Sequence, residues 1–285
     1  MKKLTVGFQG ERGAFSELAA INFFGDKAEP IPLTTFFEIF EQLKKKKLDC
    51  GIIPIENSLF GSVSENFDYL AKYPIKILAE VNQRIEHCLM GIDNCDIVKI
   101  KVIISHPQAL GQCSRFLSKL KKVQKTPFYD TAGAAKHLLE KNDSSIAAIA
   151  SKQAAKYYGL RILKKSIQNV EKNYTRFLII SSSKSSLKIS ANKSNKEKKV
   201  SIFFELNNEP GSLYKALSIF ALRNINLTKI ESRPNPDEVF HYNFFLDFIG
   251  SLNERKCFKA IDNLKEISRK VKILGEYFVG DVYDE

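Results

Sequence analysis

Short apolar runs and amphipathic stretches alternate along the first two thirds of the chain. The run Leu4–Phe8 predicts a buried strand, and the apolar positions after it, among them Phe15, Leu18 and Phe23, recur at helical spacing. This order of strand and then helix returns several times. Strands are predicted at residues 50–55, 101–105, 123–129, 145–150 and 176–181, and helices follow residues 13, 35, 107, 131 and 150. Such alternation is typical of parallel α/β sheets.

The last third of the chain has a different order of elements. Strands are predicted at residues 200–206, 227–232, 239–248 and 271–278, and helices at residues 212–223 and 253–269. The βαββαβ order predicts a ferredoxin-like domain. The segment Asn207–Gly211 supplies the turn into its first helix, and we expect Ser212 to cap that helix.

A polar segment separates these two regions. Residues 182–199 hold six lysines and one glutamate among serines, with almost no core-forming side chains. Such a segment cannot bury enough apolar surface to offset the entropy lost on ordering, so we interpret it as a linker. The predicted organisation is a large α/β domain at residues 1–181, a linker at 182–199 and a small domain at 200–278.

Length and composition narrow the class of protein. The 285 residues suit one large domain or two ordinary ones, and 44% of them are hydrophobic, as in globular proteins. No apolar run approaches the ~18 residues that a bilayer span requires, and polar residues interrupt the start before a signal-peptide core could form. The five cysteines are scattered, without metal-ligand spacing. We therefore expect a soluble, cytoplasmic protein that neither binds a membrane nor holds a metal ion.

The net charge of +12 raises the question of an anionic partner. It divides into +9 over residues 1–181, +5 over residues 182–199 and −2 over residues 200–285. Nucleic acid is one interpretation, but the basic residues form no stripe interleaved with aromatic residues, and Lys44–Lys47 simply close an amphipathic helix. The alternative, which we favour, is a solvated lysine-rich surface with a positive pocket for a small anion.

Polar side chains cluster where predicted strands end. Glu56, Asn57 and Ser58 follow one strand, His106 and Gln108 follow another, and Thr175 and Arg176 begin a third. In open α/β sheets the ligand site lies outside the carboxyl ends of the strands, which predicts that these groups meet. One arginine, one threonine and several amides suit a carboxylate-bearing substrate that must be oriented and given one proton.

Each of these groups also has a purely structural interpretation. Asn57 or Ser58 could cap a helix, and His106 could end a strand with Gln108 as an ordinary first-turn residue. Thr175 could be a β-branched residue at the start of a strand, beside a solvated Arg176. Glycines at positions 7, 10 and 13 do not have dinucleotide-loop spacing, although they let backbone N–H groups approach an anion near a helix N-terminus.

Five motifs in this order resemble one known family. They are Gly7–Ser16, Ile53–Ser58 with Gly61, His106–Leu110 with Gln112 and Cys113, Asp130–Ala135, and Asn173–Phe177. Together they make the chain similar to the bacterial prephenate dehydratases of the monofunctional, two-domain kind. In the first motif, Gln9, Gly10 and Ala14 resemble the variant of plant arogenate dehydratases and some bacterial relatives. The choice between prephenate and arogenate therefore stays open.

The resemblance implies an activity and a fold. The activity is the conversion of prephenate to phenylpyruvate, with loss of water and carbon dioxide, in phenylalanine biosynthesis. Aromatisation drives this elimination, so no cofactor or metal is expected. The implied fold is a catalytic domain of two subdomains like type II periplasmic binding proteins, with the substrate in the cleft, followed by an ACT domain.

The resemblance also implies roles for individual residues. The family's essential threonine falls on Thr175, as donor to the departing ring hydroxyl, and Arg176 is the candidate to hold a substrate carboxylate. We expect Phe177 to pack against the substrate ring or the core. The other residues expected to line the cleft are Glu56, Asn57, Ser58 and Gln108, with Gly13, Ser16 and His106.

The second domain resembles an ACT regulatory domain. Glu231, Ser232, Arg233 and Pro234 resemble the phenylalanine-recognition motif of dehydratase ACT domains, and Gly211, Ser212 and Leu213 resemble its partner segment. The resemblance implies feedback inhibition by L-phenylalanine and a homodimer or homotetramer formed through these domains. A non-catalytic amino-acid sensor with the same fold is the remaining alternative, and the intact Thr175–Phe177 motif argues against it.

Overall fold

The computed structural model describes residues 3–187, 189 and 197–284. These residues form two compact units, one containing residues up to 62, 81–177 and from 282 onward, and the other residues 63–80 together with the described part of 178–281. Residues 188 and 190–196 of the predicted linker lie outside the described residues. The predicted domain boundaries after residues 181 and 199 stay predictions.

The described residues contain sixteen strands and nine α-helices. The strands are β1 (Leu4–Gln9), β2 (Ala28–Leu33), β3 (Cys50–Asn57), β4 (Gly61–Ser62), β5 (Ile75–Arg84), β6 (Cys88–Gly91), β7 (Val102–Ser105), β8 (Gln124–Pro127), β9 (Ile146–Ala150), β10 (Arg161–Lys164), β11 (Tyr174–Ser182), β12 (Lys198–Leu206), β13 (Leu227–Pro234), β14 (Tyr242–Ile249), β15 (Ser268–Phe278) and β16 (Asp281–Tyr283). The helices are α1 (Phe15–Phe24), α2 (Phe36–Lys44), α3 (Ser64–Lys72), α4 (Pro107–Gln112), α5 (Ser114–Leu117), α6 (Thr131–Lys141), α7 (Lys152–Tyr158), α8 (Ser212–Ala221) and α9 (Arg255–Ile267). In the described residues, no helix is both long and apolar enough to cross a membrane.

The first unit begins with a parallel arrangement. Strand β1 pairs in parallel with β2 on one side and with β3 on the other. Strand β4 pairs antiparallel with β3, and β11 lies next to β3 in the same sheet. The side chain of Thr35 caps α2, because its hydroxyl accepts a hydrogen bond of 3.2 Å from Glu38 N. The carboxyl ends of β1 and β3 thus face the same edge of the sheet.

The second sheet of this unit has the order β10-β6-β9-β7-β8. Strand β7 is parallel to β8 and β9, whereas β6 is antiparallel to β9 and β10. The prediction of parallel sheets is therefore wrong in part, since both sheets are mixed. The reason is that β6 and β10 are only four residues long, too short for a clear pattern in the sequence.

The second unit has the predicted βαββαβ order. Its sheet is antiparallel, in the order β13-β14-β12-β15. Helices α8 and α9 cover one face, where Phe204, Phe220 and Phe248 are fully buried in a common core. The expected Ser212 cap is wrong: the cap residue is Gly211, whose φ of 80° favours glycine, and the Ser212 hydroxyl donates back to Asn207 O at 2.8 Å.

Helix α3 also belongs to the second unit. Along β12 and β14, side chains alternate between the two faces, so Phe203 and Phe245 lie on the face opposite the α8–α9 core. The Phe67 ring of α3 packs on this face. Its centroid lies 5.0 Å from that of the Phe245 ring, and the centroids of Phe245 and Phe203 are 5.2 Å apart. The Lys272 ammonium donates to the carbonyl of Tyr73, just after the helix, at 2.6 Å. These contacts attach α3 to the sheet of the second unit.

Candidate active site

Asn57, the last residue of β3, is the centre of a hydrogen-bonded cluster in the first unit. Its Nδ2 has three acceptors within hydrogen-bond distance, which are Asn173 Oδ1 at 2.8 Å, Thr175 Oγ1 at 3.0 Å and Tyr174 O at 3.1 Å. Its Oδ1 accepts from the backbone N–H groups of Leu59 and Phe60, at 3.0 and 3.1 Å. Because a backbone N–H can only donate, these two bonds fix the amide with its oxygen toward the loop and its nitrogen toward Thr175. The alternative of a helix cap is wrong, since the loop is a turn with no helix at 58–60.

Thr175 is buried at the start of β11, with 9% of its surface exposed. Its hydroxyl oxygen accepts the hydrogen bond from Asn57. A hydroxyl has one proton to donate, and in the described part of the chain nothing accepts it from Thr175. The side chain is therefore oriented with a free proton that a bound molecule could accept.

The cluster continues away from Thr175 through buried amides. Asn173 Nδ2 donates to Gln112 Oε1 at 2.9 Å, and the same oxygen lies 2.5 Å from His87 Nε2. His87 is almost fully buried, and burial lowers its pKa to about 4, although the bond to Gln112 opposes this shift. The ring is therefore neutral near pH 7. Its other contact is the ring of Phe15 in α1, which meets it edge-on at 5.5 Å.

Arg176 and Glu56 form a second pair beside this cluster. Adjacent residues of a strand point to opposite faces, so Arg176 does not share the face of Thr175. Its Nε lies 2.9 Å from Glu56 Oε1, and only 9% of the residue is exposed. The alternative of a solvated arginine is therefore wrong. The role of Arg176 in holding a substrate carboxylate stays a prediction, and such a carboxylate would meet a guanidinium that Glu56 already holds.

The residues after β3 and β7 occupy different settings. Ser58 continues the pairing with β11, because its N–H donates to Tyr174 O at 2.8 Å and its Oγ accepts from Tyr174 N at 3.0 Å. Gln108 is exposed in α4, one turn before Gln112 and so on the same side of that helix. His106 caps α4 through Nδ1, which accepts from Gln108 N at 3.3 Å. The structural interpretation of His106 as the end of a strand fits its place directly after β7, and its role as the cap of α4 is an additional finding.

The predicted residues near α1 are largely occupied by internal contacts. The Gly13 N–H donates to Glu17 Oε2 at 2.5 Å, so this N–H already has an acceptor within the protein, and the place of Gly13 in the cleft stays a prediction. Gly13 is needed here for another reason: its φ is 88°, and a Cβ would lie 2.5 Å from the Cα of Ala154 in α7. Ser16 is buried in the first turn of α1, and Phe177 is buried with 2% exposed. The core position expected as one possibility for Phe177 is the one observed.

Three members of the cluster were given no role from the sequence. Asn173 and Gln112 stand inside the motifs already noted, so their polar side chains were the available signal. His87 lies in a stretch with no motif and between strands that the apolar pattern did not predict. Nothing in the sequence alone marked it.

The residues of the predicted effector motif lie on β13, the edge strand of the second unit's sheet. Glu231 and Arg233 are half-buried, whereas Ser232 and Pro234 are exposed on the other face. Glu231 pairs with Lys229 at 3.5 Å, and Arg233 is held by Asp68 of α3. In the partner segment, Gly211, Ser212 and Leu213 form the start of α8, and Gly211 and Leu213 are exposed.

Several known proteins similar to this chain are dehydratases. The chain is 39% identical over 284 residues to arogenate dehydratase/prephenate dehydratase 2 of Arabidopsis thaliana, covering 96% of this chain and 73% of the relative. It is 38% identical over 278 residues to the bifunctional chorismate mutase/prephenate dehydratase of Aquifex aeolicus, covering 97% and 74%. The structure of prephenate dehydratase from Arthrobacter aurescens in complex with L-Phe superposes with a TM-score of 0.87 at 30% identity, covering 96% of this chain and 90% of that one. The fold and these similarities define a dehydratase, which is a lyase.

Two family models match the chain itself. The model for prephenate dehydratase matches residues 6–185, and the model for the ACT domain matches residues 200–264. The chain belongs to the prephenate dehydratase family and carries a C-terminal ACT domain. The predicted family and the predicted α/β fold class with an ACT domain are thereby confirmed.

Proposed function

We propose that this enzyme converts prephenate to phenylpyruvate. Prephenate carries two carboxylates and a ring hydroxyl. The bond between the ring and its carboxylate breaks, its electron pair enters the ring, and the carbon–oxygen bond to the hydroxyl breaks as the ring becomes aromatic. The departing oxygen takes up one proton and leaves as water, so the products are phenylpyruvate, carbon dioxide and water.

The observation that carries this proposal is the Thr175 hydroxyl, which accepts from Asn57 and has no acceptor for its own proton among the described residues. The reaction needs a hydrogen-bond donor aimed at the departing oxygen, because a hydroxide is a poor leaving group without one. Asn57 donates to the Thr175 hydroxyl oxygen and so directs the hydroxyl proton away from the Asn57 amide. A threonine hydroxyl is a weak acid, so its role is to position and stabilise the departing oxygen by a hydrogen bond.

Charge supports an anionic substrate. Residues 1–181 carry a net charge of +9, and electrostatic attraction of that sign raises the rate of encounter with a dianion. Arg176 is the residue we propose to bind a carboxylate, sharing its guanidinium with Glu56. Gln108, on the same side of α4 as Gln112, is proposed to contact the bound substrate.

The test is a rate measurement on prephenate and on arogenate at neutral pH. Acid converts prephenate to phenylpyruvate spontaneously, so a reaction without enzyme sets the baseline. We expect turnover of prephenate by the wild type and a loss of about 10²-fold or more in kcat for Thr175→Val, which keeps the shape but removes the hydroxyl. Thr175→Ser, which keeps the hydroxyl, is the matched control and should retain most activity. Preferential turnover of arogenate would replace prephenate as the substrate, and full activity of Thr175→Val would remove Thr175 from the mechanism.

We further propose feedback inhibition by L-phenylalanine through the ACT domain. The related Arthrobacter protein was solved in complex with L-Phe. Here, Glu231–Pro234 lie on the edge strand β13, where a second copy could complete an effector site and form a homodimer or homotetramer. Titration with L-phenylalanine and light scattering with and without it test both statements. Activity that saturating L-phenylalanine leaves unchanged would remove the effector, and a monomer at all concentrations would remove the shared site.

The cysteines bear on where the enzyme works. All five are free and buried thiols, including Cys50 and Cys113, whose pKa burial raises to about 12. Free thiols suit a reducing compartment, so we propose a cytoplasmic location. Fractionation of the source cells tests this directly.

A further inference from the structure

We propose that His87 is a positioning residue for this reaction, because its Nε2–H anchors the far end of the amide chain that orients the Thr175 hydroxyl. The inference rests on the proposed function and adds a residue that touches neither the substrate nor Thr175. The chain runs from His87 through Gln112, Asn173 and Asn57 to Thr175.

The direction of every bond in this chain follows from the orientation of Asn57. The backbone N–H groups of Leu59 and Phe60 hold the oxygen of Asn57, so its nitrogen must donate to Asn173 Oδ1. Asn173 then presents its own nitrogen, which donates to Gln112 Oε1. If a side-chain amide whose oxygen accepts a hydrogen bond were flipped, its NH2 group would face the neighbouring donor, and two donors cannot bond to each other.

Gln112 therefore requires a donor as its second neighbour. His87 Nε2 lies 2.5 Å from the same Gln112 oxygen, so the neutral ring must carry its proton on Nε2. The other ring nitrogen agrees with this tautomer: Nδ1 is buried and has no hydrogen-bond partner in the part of the chain that the structure describes. A protonated Nδ1 would leave a buried donor unpaired, which costs more than an unpaired acceptor in the same place. The low pKa of the ring keeps this neutral form at physiological pH.

The surroundings of His87 favour a fixed ring. The residue is 2% exposed, its backbone N–H donates to Gln168 Oε1 at 3.0 Å, and its carbonyl accepts from Ile167 N at 3.0 Å. Phe15 packs edge-on against the ring. Since Asn173 and Gln112 are buried as well, the chain can reorient only if one of its ends is released.

Loss of the Nε2 donor would release that end. Among the described residues, Gln112 Oε1 would then keep only its bond from Asn173, and rotation of the Asn173 amide would withdraw the acceptor that shares the Asn57 nitrogen with Thr175. The Leu59 and Phe60 N–H groups would still hold the Asn57 oxygen, but an Asn173 amide turned with its nitrogen toward Asn57 would push the Asn57 nitrogen off its 3.0 Å contact with Thr175 Oγ1. The Thr175 hydroxyl would then be less well oriented, while the binding groups elsewhere remain. Orientation at the reacting bond is worth most in the transition state, so kcat should fall and KM should change little.

Two substitutions at position 87 separate positioning from simple loss of a side chain. In His87→Gln the amide nitrogen is reached from Cβ by the same number of bonds as Nε2, so it can still donate to Gln112. In His87→Asn the nitrogen takes the place of Nδ1 and the bond to Gln112 is lost. We expect His87→Asn to lower kcat on prephenate by about tenfold and to leave KM within about twofold, and His87→Gln to recover to within about threefold of wild type. Equal losses in both variants, or no loss in His87→Asn, would overturn the proposal.

A second measurement keeps the proposal testable if a variant fails to fold. The ¹⁵N chemical shifts of the His87 ring in the wild-type enzyme report which nitrogen carries the proton. We expect a protonated Nε2 and a bare Nδ1 at neutral pH, and a proton on Nδ1 would overturn the proposed chain. Wild-type enzyme that turns over neither prephenate nor arogenate would remove the proposed function, whereas active wild type with an unaffected His87→Asn would remove only this inference.

Discussion

Arg233 of strand β13 and Asp68 of helix α3 form a bidentate ion pair. Arg233 Nε donates to Asp68 Oδ1 at 3.1 Å, and Arg233 Nη2 donates to Oδ2 at 2.9 Å. This fork geometry satisfies one carboxylate with one guanidinium. Arg233 belongs to the proposed effector motif. An effector carboxylate that binds Arg233 must therefore displace Asp68 or share the guanidinium with it.

This relationship predicts that Asp68 weakens the response to L-phenylalanine. Replacement by Asn keeps the shape but removes the competing charge. Because the ion pair is partly exposed, it contributes only about 1 kcal/mol or less. Its loss in Asp68→Asn should therefore lower the half-inhibitory concentration of L-phenylalanine by roughly two- to fivefold. Inhibition curves for Asp68→Asn and wild type at constant prephenate measure this shift.

The control for this prediction lies on the same helix. Glu65 bonds to Tyr69 of α3 rather than to Arg233, so Glu65→Gln should leave the inhibition curve in place. A higher half-inhibitory concentration in Asp68→Asn would mean that the ion pair presents Arg233 to the effector instead of competing for it. Arg233→Ala should weaken inhibition in either case, because the guanidinium itself is lost.

A second prediction concerns the direction of the Thr175 proton. In Asn57→Asp the donor nitrogen is replaced by an oxygen that can only accept when ionised. The Thr175 hydroxyl would then turn its proton toward residue 57 and away from the departing group. We expect kcat to fall by about 10²-fold or more, with the thermal midpoint of unfolding changed by only a few degrees.

The matched control keeps the donor. Asn57→Gln retains an amide but is longer by one methylene, so it should lose less activity than Asn57→Asp in a stopped assay at neutral pH. Comparable activity in Asn57→Asp and wild type would show that the hydroxyl does not need Asn57 as a donor.

The sequence predicted the meeting of Asn57 and Thr175 but not the chain behind them. Polar residues at strand ends gather by the topology of the sheet, so the pattern alone placed Glu56, Asn57, Thr175 and Arg176 at one edge. The hydrogen-bond directions depend on which backbone N–H groups face each amide. That information exists only once the turn after β3 and the start of β11 are folded together.

Elements that depend on distant partners were also missed. Strand β5 has an ambiguous pattern because Glu80 is buried within it, and its carboxylate is satisfied by Lys199, 119 residues away, at 2.7 Å. Helix α3 buries few apolar side chains, among them Phe67, whose aromatic partner is Phe245 of β14. Local propensity cannot anticipate partners that are contributed by another part of the chain.

A third prediction separates the two roles that Arg176 could have. Glu56→Gln removes the charge paired with a guanidinium that is only 9% exposed. Glu56 itself is a third exposed, so we expect a loss of about 1–2 kcal/mol in the free energy of unfolding, measured by urea titration. If Arg176 also binds the substrate, removal of the competing carboxylate should lower KM for prephenate by several-fold, roughly.

The free energy of unfolding and the KM of Glu56→Gln together distinguish a structural role of Arg176 from a substrate-binding one. A loss of stability with an unchanged KM would make Arg176 a structural residue and leave the substrate carboxylate to another group. Arg176→Lys adds a control, since it keeps the charge but loses the planar fork, and it should raise KM if the carboxylate is held by two parallel bonds.

The last prediction concerns acid stability and follows from His87. Burial lowers the pKa of this ring to about 4, whereas an unfolded histidine titrates near 6.5. Above pH 6.5 the ring is neutral in both states and contributes no pH dependence. As the pH falls from 6.5 toward 4, the unfolded state gains a proton that the folded state does not, so the free energy of unfolding decreases, by about 3 kcal/mol at most.

Urea titrations of His87→Gln should show a flatter decline across this window, because the group that titrates is gone. His137→Gln, which removes a half-exposed histidine of α6 and keeps His87, is the control variant. An identical decline in wild type and His87→Gln would show that other groups cause the loss of stability in acid.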